Sequence, residues 1–340
     1  MTAVLPAPAP GRTIHEFPLT DIQQAYWVGR SGGYALGGTS AHTYLEFARP
    51  SLDVPRFTRA WRRLIQRHAM LRATITAEGT QRILEVGDDF QPDLIDLRRG
   101  SEAERRTALE RLRERLSLET FADEVWPLFS VTVCLLPDDV RIMISGDVII
   151  ADATSWQIVM RDLEAFYEGD ADDDQPLDFT FRDYVAADAV RDAATDTDAD
   201  TRYWREVLGR LPGPPGLPFA TDPETIRRPV FRRHVRRLPA AAWDALRAVA
   251  SREGLTPSAV LLAAYGAVLN TWSTTRECTI NVTTFLRRPF HPDVPRLVGD
   301  FTSFVPVPAS LPSGAGFATL AEEVQEQLFA ALDHGELSGL

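Results

Sequence analysis

The spacing of apolar and polar residues predicts helices and strands along most of the chain. Alternating or continuous apolar runs predict strands at 42–48, 128–136 and 140–150, and a helical repeat predicts a helix at 154–169. Residues 55–68 form the clearest amphipathic helix. Its shared face carries Phe57, Trp61, Leu64, Ile65 and His68.

Another helix is predicted near the start of the chain. Thr20 can cap it, Gln23 is placed three residues later for a capping box, and Gly29 ends it. After residue 228 the alternation resumes. It predicts strands at 230–238, 278–285 and 301–307, and helices at 241–254, 256–272 and 317–334.

Strands and amphipathic helices are mixed in both halves of the chain, which indicates the α/β class. An acidic loop, two polar helices and a Pro/Gly-rich stretch separate the halves. We therefore predict four regions: a disordered leader or linker at 1–16, an N-terminal lobe at 17–175, connecting helices and irregular chain at 176–228, and a C-terminal lobe at 229–340.

Composition narrows the function classes. The formal net charge of −12 argues against nucleic acid as the main partner. All basic residues other than histidine are arginine, which excludes a Schiff-base or Walker-type lysine. Neither a membrane span nor a signal peptide is predicted. Cys134 and Cys278 lie in strand-like runs, as expected of thiols in a reducing cytoplasm.

Several familiar kinds of site are disfavoured by the order of the residues. The glycines of GRSGGYALGG follow a helix and precede a strand, the reverse of a phosphate-binding loop. The six histidines show no metal-ligand spacing, and His68 is interpreted as a partly buried histidine with its hydrogen bonds satisfied. Ser155 has no GxSxG context, so we do not expect a triad nucleophile.

Two aspartates remain, at the junction between a buried strand and a helix. GDVIIADATSW contains Asp147, Asp152 and Ser155. Acids in such a place bind a metal, transfer protons or form a buried ion pair. Arg67 and Arg72, in RHAMLRA, are candidate partners for such a pair. The residues alone leave these three alternatives open.

Ordered motifs across residues 17 to about 340 resemble those of one family. FPLTDIQQAYWVGR fills every fixed position of FPLTxxQxAYxxGR, and RHAMLRA, DVIIADATS, FRDYV, LPGPPGLP and NVTTFLRRPFHPDVPRLVGDFTS follow in the same order. The sequence resembles the heterocyclization domains of nonribosomal peptide synthetases, a branch of the condensation-domain superfamily.

The resemblance gives the acids an interpretation. Condensation domains carry HHxxxDG at this strand end, whereas the heterocyclization branch carries DxxxxDxxS, here Asp147, Asp152 and Ser155. Val148 stands where the second histidine would be. The resemblance implies that Asp152 mainly holds structure through an arginine, and it leaves the role of Asp147 more open.

The implied fold has two chloramphenicol-acetyltransferase-like lobes in a V-shaped pseudo-dimer, with a tunnel between them. Upstream and downstream peptidyl carrier proteins would dock at its mouths, and an adenylation domain is the expected neighbour. The carriers' phosphopantetheine arms deliver the substrates, so no bound cofactor or metal is expected.

The implied reaction joins an acyl thioester to a carrier-bound Cys, Ser or Thr and then closes a thiazoline or oxazoline with loss of water. The expected catalytic residues are Asp147, Asp152, Ser155 and Asn281, and Asn281 is the candidate for holding the amide. The remaining residues are expected to line the tunnel or support its structure: Tyr26, Arg30, Arg67, His68, Arg72, Arg287, Asp300 and Thr302.

Two departures from the family pattern modify these expectations. Leu286 precedes Arg287 where the family often has asparagine. The chain ends at HGELSGL, where the family's second lobe continues, so we expect an incomplete second lobe and weak or no cyclizing activity from residues 1–340 alone. A truncated non-catalytic carrier-docking module and a plain condensation domain are the alternatives.

Overall fold

The computed structural model describes most of the chain. The described residues are 15–30, 33–169, 176–195, 198–227, 229–232, 234–310 and 316–337. Residues 1–14 of the predicted leader and most of the acidic loop therefore lie outside the described residues. The last two leader residues, His15 and Glu16, belong to the first strand.

The chain divides into two compact units. The first contains the residues up to Arg30, then Thr39–Ala189 and Arg288–Asp300; the second contains Ser31–Gly38, Val190–Arg287 and Phe301–Leu340. The segment Arg288–Asp300, which the sequence analysis assigned to the C-terminal lobe, thus belongs to the first unit. Backbone and side-chain bonds from Gly299 to the start of a first-unit helix hold it there.

Among the described residues, the first unit contains seven strands and the first helices. The strands are β1 (His15–Pro18), β2 (His42–Arg49), β3 (Ala73–Ile75), β4 (Thr80–Ile83), β5 (Asp93–Asp96), β6 (Phe129–Leu135) and β7 (Val140–Asp147). The helices are α1 (Asp21–Gly29), α2 (Val54–Arg67), α3 (Glu102–Leu116), α4 (Ala153–Glu168) and the start of α5 (Phe181–Ala194). Short 3-10 helices occupy Ala69–Arg72, Val148–Ile150 and Val294–Arg296.

The strands form two sheets. One has the order β2-β7-β6-β5, in which only β5–β6 is a parallel pair, and the other has the order β1-β4-β3 and is antiparallel. This combination of sheets and packed helices confirms the α/β class. Strand β7 lies inside the larger sheet, and seven of its eight residues are buried.

Local sequence explains where the main helices begin and end. Thr20 and Gln23 form the predicted capping box of α1. Asp53 caps α2 by accepting from the Arg56 amide at 2.9 Å, and Gly169 ends α4 with a φ of +88°, which favours glycine.

The predicted apolar face of α2 forms the centre of the first core. Trp61 and Leu64 are fully buried, and the ring of Trp61 stacks on that of Phe129 with centroids 5.6 Å apart. His68 is 1% exposed, more deeply buried than predicted, and within the described residues its Nδ1 has no hydrogen-bond partner. The helix packs against α4, so the site at the start of α4 is supported by the core.

The second unit contains a two-stranded antiparallel sheet and several helices. Its elements are α6 (Asp198–Leu208), a 3-10 helix (Pro223–Thr225), α7 (Ala240–Arg252), α8 (Pro257–Trp272), β8 (Glu277–Phe285), β9 (Thr302–Ser310) and α9 (Phe317–Asp333). Cys278, on β8, and Cys134, on β6, are both buried free thiols. In the described part of the chain, no helix has both the length and the hydropathy needed to cross a membrane.

The prediction of a strand at 230–238 is wrong. The described residues there are irregular, and Val230, Phe231, Val235 and Leu238 are each more than half exposed. Alternation supplies an apolar face, but a strand also needs a neighbouring strand to satisfy its backbone groups, and no described strand pairs with this segment.

Candidate active site

Asp147 is the last residue of the buried strand β7. Its backbone N–H donates to the Leu128 carbonyl at 3.0 Å, and its side chain is fully buried. Its Oδ1 accepts from the Ile149 amide at 3.0 Å, which caps the 3-10 helix that follows the strand. The strand end and this turn therefore fix the position of the carboxylate.

An arginine neutralises this buried acid. The Arg30 guanidinium, at the C-terminal end of α1, donates from Nη2 to Oδ1 of Asp147 and from Nη1 to Asp123. The side chain of Arg30 is only 11% exposed. The ion pair of Asp147 is therefore made with Arg30 rather than with Arg67 or Arg72, the candidates named from the sequence.

The second oxygen of Asp147 is different. Within the described residues, Oδ2 is buried and has no hydrogen-bond partner. Burial raises the pKa of Asp147 above its ordinary value, and the Arg30 charge only partly opposes the effect. A carboxyl group of this kind can exchange a proton closer to neutral pH than an exposed aspartate can.

Close packing surrounds the strand end. Gly146 lies against the indole of Trp156, where a β-carbon would come within 2.7 Å of Cη2. Gln23 of α1 donates to the Ile149 carbonyl at 2.6 Å, and its side-chain amide both donates to and accepts from the side-chain amide of Gln81. These contacts tie α1 to the turn after Asp147.

Asp152 and Ser155 hold the backbone together at the start of α4. Asp152 caps the helix by accepting from the Ser155 amide at 2.6 Å, and its own N–H donates to the Gly299 carbonyl at 3.1 Å. The Ser155 hydroxyl donates to the same carbonyl at 2.7 Å and accepts from the Gly299 amide at 3.1 Å. The Ser155 hydroxyl therefore links the start of α4 to Gly299.

Arg67, His68 and Arg72 form a separate group at the end of α2. His68 Nε2 lies 2.9 Å from Asp162, and Arg67 Nε lies 3.4 Å from the same carboxylate. Burial lowers the pKa of His68, and Asp162 only partly opposes this shift. Arg72 donates to two backbone carbonyls, those of Ile65 and Leu84.

The two other first-unit candidates are Tyr26 and Asp300. Tyr26 is half-buried on α1, and its carbonyl accepts from the Arg30 amide at 3.2 Å. Asp300 is 1% exposed and directly follows Gly299. The structure thus brings Asp147 together with Arg30, and Asp152 together with Ser155 and the segment that ends at Asp300.

The remaining candidates lie in the second unit. Asn281 is exposed on β8, opposite Pro306. Thr302 begins β9 opposite Phe285, and Arg287 places its guanidinium carbon 3.9 Å from the centre of the Phe301 ring. Leu286, the departure from the family pattern, donates its amide to the Phe301 carbonyl at 2.9 Å, a backbone bond that does not require asparagine.

Two supporting residues escaped the sequence analysis. Asp123 shares Arg30 with Asp147, and no motif marks it. His42 lies opposite Asp147 in the β2–β7 register, and its Nε2 lies 2.8 Å from the Leu116 carbonyl and 3.0 Å from Ser145 Oγ. Gln23, which also supports the strand end, was by contrast marked in the sequence, because it is the fixed glutamine of FPLTxxQxAYxxGR.

The described residues contain no cluster of three or more His, Cys, Asp or Glu side chains that could hold a metal ion. The strand end presents a buried carboxyl group with one constrained and one unpaired oxygen, next to an arginine.

Comparison with known proteins identifies the family to which this mixed α/β chain belongs. The Condensation domain model matches residues 13–338. The chain belongs to the condensation-domain family, whose members catalyse peptide-bond formation, and is a condensation-type domain of the kind found in nonribosomal peptide synthetases.

The chain is similar in sequence to parts of known synthetases. Phenyloxazoline synthase MbtB from Mycobacterium sp. (strain MCS) is 38% identical over 328 residues, covering 95% of this chain and 27% of that protein. Bacitracin synthase 1 from Bacillus licheniformis is 34% identical over 330 residues, covering 96% of this chain and 6% of that protein. The chain therefore spans only a small part of these curated relatives.

A solved structure gives the same assignment. The rhombohedral crystal form of the EpoB NRPS cyclization-docking bidomain from Sorangium cellulosum has a TM-score of 0.86 and 36% sequence identity. The alignment covers 98% of this chain and 66% of that one. The match confirms the assignment of the fold to the condensation and cyclization domains of these synthetases.

Proposed function

We propose that this chain is a heterocyclization domain. It joins a carrier-bound acyl thioester to a carrier-bound Cys, Ser or Thr and converts the amide into a thiazoline or oxazoline. The observation that carries the proposal is the end of β7, where the buried Asp147 with an unpaired Oδ2 is followed by Val148 instead of a histidine.

The proposed reaction has two parts. The amine nitrogen attacks the thioester carbonyl, forms the amide C–N bond and releases the upstream carrier's thiol. The side-chain thiol or hydroxyl then adds to the amide carbonyl, and that carbonyl's oxygen leaves as water while the ring C=N bond forms. Holding both substrates on one domain replaces a bimolecular encounter with an intramolecular one.

Asp147 is the proposed proton-transfer group. Arg30 and the Ile149 amide hold Oδ1 and orient the carboxyl, while Oδ2 exchanges a proton with the departing oxygen or the attacking group. The raised pKa supports this role, because a carboxyl that retains its proton can act as an acid.

The other site residues are proposed to position substrates or structure. Asp152 and Ser155 fix the start of α4 against Gly299. Asn281 is exposed on β8 and is proposed to hold the amide. Tyr26, Arg67, His68, Arg72, Arg287, Asp300 and Thr302 remain proposed tunnel-lining or supporting residues.

The relatives support the ring-forming step. The name of MbtB specifies a phenyloxazoline, and the EpoB structure is that of a cyclization-docking bidomain. By the same similarity, the proposed partners are upstream and downstream carrier proteins with phosphopantetheine arms and an adjacent adenylation domain, in the cytoplasm, within natural-product or siderophore biosynthesis.

The experiment loads one carrier with an acyl group and another with Cys, Ser or Thr, and follows the products by intact mass. The chain is used in molar excess, so that slow turnover is still detected. A carrier loaded with alanine is the matched control, because alanine has no side-chain nucleophile. The expected product from at least one of the three amino acids is the amide minus one water, whereas alanine gives only the amide.

The alternative functions give different results. Amide from Cys, Ser and Thr without loss of water would identify a plain condensation domain. Carrier binding without either product would identify a docking module. In an active sample, Asp147→Asn should slow water loss by about 10²–10⁴-fold, the usual contribution of a general acid or base. Asp139→Asn, in an ion pair elsewhere on the β6–β7 hairpin, should not slow it.

A further inference from the structure

One guanidinium group in the first unit is shared by two acids. Arg30 donates from Nη2 to Asp147 and from Nη1 to Asp123. If both acids are ionised, these three side chains carry two negative charges and one positive charge. The cluster then holds one negative charge more than its arginine neutralises, in a largely buried place.

The two acids differ in their access to water. The side chain of Asp147 is fully buried, whereas that of Asp123 is 28% exposed. Burial disfavours the charged form of an acid, and a like charge nearby disfavours it further. The excess negative charge is therefore least costly on Asp123, and a proton that enters the cluster goes to Asp147.

The pKa of Asp147 reflects the same balance of effects. Burial raises this pKa, the Arg30 charge lowers it, and the Asp123 charge raises it again. Asp123 thus opposes the effect of Arg30, because it repels the Asp147 carboxylate and binds the same cation.

Asp123 is also held by contacts that do not involve Arg30. Its backbone carbonyl accepts from the Ile75 amide, on β3, at 2.8 Å. Three residues later, Trp126 donates its indole N–H to the Leu71 carbonyl at 2.9 Å. The segment that carries Asp123 is therefore fixed to the first unit on both sides of the ion pair.

Other ionisable residues near Asp147 have separate partners. His42 lies opposite Asp147 on β2, and its Nε2 lies 2.8 Å from the Leu116 carbonyl. Asp152, which caps α4, accepts from the Ser155 amide at 2.6 Å. Within the described structure, neither His42 nor Asp152 binds the shared guanidinium.

We infer that Asp123 is a positioning residue for the ring-forming step: it shares Arg30 with Asp147, so that the Asp147 carboxyl keeps a proton for the departing oxygen. The catalytic part of this inference rests on the proposed function. If Arg30 bound Asp147 alone, it would favour the charged carboxylate, which accepts a proton but has none to donate. Asp123 acts through Arg30 and not on the substrate.

The protons balance within the ring-forming step. The proton of the attacking thiol or hydroxyl converts the amide carbonyl oxygen into a hydroxyl group. Oδ2–H of Asp147 supplies the second proton, and the C–O bond breaks as water leaves. The ring nitrogen returns its N–H proton to the Asp147 carboxylate as the C=N bond forms.

The test first titrates Asp147 in the full chain without substrates. Carbon-13 NMR of a sample labelled at the aspartate carboxyl carbons follows the titration, and the signal that is lost in Asp147→Asn identifies this residue. Asp123→Asn keeps an oxygen acceptor for Arg30 but removes the charge, so the midpoint of the Asp147 titration should move to lower pH. Asp139→Asn is the matched control, because Asp139 is also 28% exposed and paired with an arginine, and it should leave the midpoint unchanged.

The same variants are then compared in the carrier assay over a series of pH values. Asp123→Asn should move the pH profile of water loss to lower pH and slow water loss at neutral pH roughly threefold or more, because the protonated fraction of Asp147 falls. Amide formation, which does not use this proton, should keep its rate. Asp123→Glu retains the charge and should behave more like wild type than Asp123→Asn does.

Three titration results would overturn the inference. The first is a midpoint of Asp147 that does not fall in Asp123→Asn, once circular dichroism has established that the variant is folded. The second is an equal fall in Asp139→Asn. The third needs no variant: it is a wild-type midpoint at or below the ordinary aspartate value of 3.8.

The two readouts separate this inference from the proposed function. A midpoint that moves in Asp123→Asn while the pH profile of water loss does not would overturn the positioning role. A wild-type chain that never forms the dehydrated product would contradict the proposed function alone, because the titration needs no substrate and still decides whether Asp123 controls the proton on Asp147.

Discussion

Arg30 and Asp147 form a buried ion pair that joins the end of α1 to the end of β7, across 117 residues of sequence. The Asp147 side chain is fully buried, and that of Arg30 is 11% exposed. Because Arg30 also binds Asp123, one guanidinium holds two acids, and the carboxyl proposed for proton transfer depends on it.

Removing Arg30 should destabilise the fold strongly. Arg30→Leu removes the cation from a buried ion pair, so Asp147 is left either charged without a partner or protonated at a cost, and the free energy of unfolding is expected to fall by up to about 3–5 kcal/mol. Urea denaturation at neutral pH measures the free energy of unfolding of wild type and variant. Arg210→Leu is the control, because its pair with Glu206 is about 70% exposed on both sides and should contribute at most about 1 kcal/mol. Equal losses in the two variants would contradict a special role for Arg30.

The raised pKa of Asp147 makes a prediction about pH. The folded state holds this proton more tightly than the unfolded state, whose carboxyl has its ordinary pKa near 3.8. Stability contributed by Asp147 is therefore fully present below that value and is lost as the pH rises through the raised folded pKa.

Asp147→Asn removes the titrating carboxyl and therefore the loss of stability that this carboxyl causes as the pH rises. The stability of Asp147→Asn relative to wild type should therefore increase as the pH rises from about 4 towards neutral, measured by urea denaturation at a series of pH values. Asp139→Asn provides the comparison for a partly exposed acid on the same hairpin. A relative stability of Asp147→Asn that falls with rising pH would show that Arg30 outweighs burial and that the pKa is lowered.

Local features of the sequence predicted much of the first unit. The capping box of α1 and the apolar face of α2 depend only on residues close together in the sequence, and the structure contains both as predicted. Strands β6 and β7 followed from their apolar runs. The short strands β1 and β5 were not anticipated, because each depends on a partner distant in the chain.

The site was predicted less completely, for a physical reason. Asp147 and Asp152 stand out because acids are costly at the end of a buried strand, but charge alone does not select a partner among 36 arginines. Arg67 and Arg72 were reasonable candidates by motif, and the fold instead brings Arg30 to Asp147. The division of roles between the two acids also depends on Gly299, 144 residues after Ser155.

Ser155 should affect the order of the segment that ends at Asp300. Ser155→Ala removes both hydrogen bonds between the Ser155 hydroxyl and Gly299, and it leaves the buried N–H of Gly299 without a partner. The free energy of unfolding should fall by about 1–3 kcal/mol. Hydrogen exchange of the Gly299 amide should become faster in the variant. Ser117→Ala, which loses an exposed 3.2 Å bond to the Glu114 carbonyl, is the control. Unchanged exchange at Gly299 would contradict the structural role.

Gly146 should be intolerant of any side chain. A β-carbon there would lie 2.7 Å from Cη2 of Trp156 and closer still to Cζ2, which is shorter than real contacts. Both residues are in the core, so the indole cannot turn away freely. Gly146→Ala should therefore cost about 1–3 kcal/mol, the usual penalty for overpacking. Gly213→Ala, where a β-carbon would meet nothing within 4 Å, is the control.

A double variant separates this clash from a backbone effect. Trp156→Phe shortens the ring, and the indole N–H that it removes has no hydrogen-bond partner in the described structure. If the clash with the ring is the cause, Gly146→Ala should cost less in the Trp156→Phe background, with a coupling of at least about 0.5 kcal/mol, as expected for residues in contact. Additive costs would instead mean that the clash with the Trp156 ring is not the cause of the destabilisation.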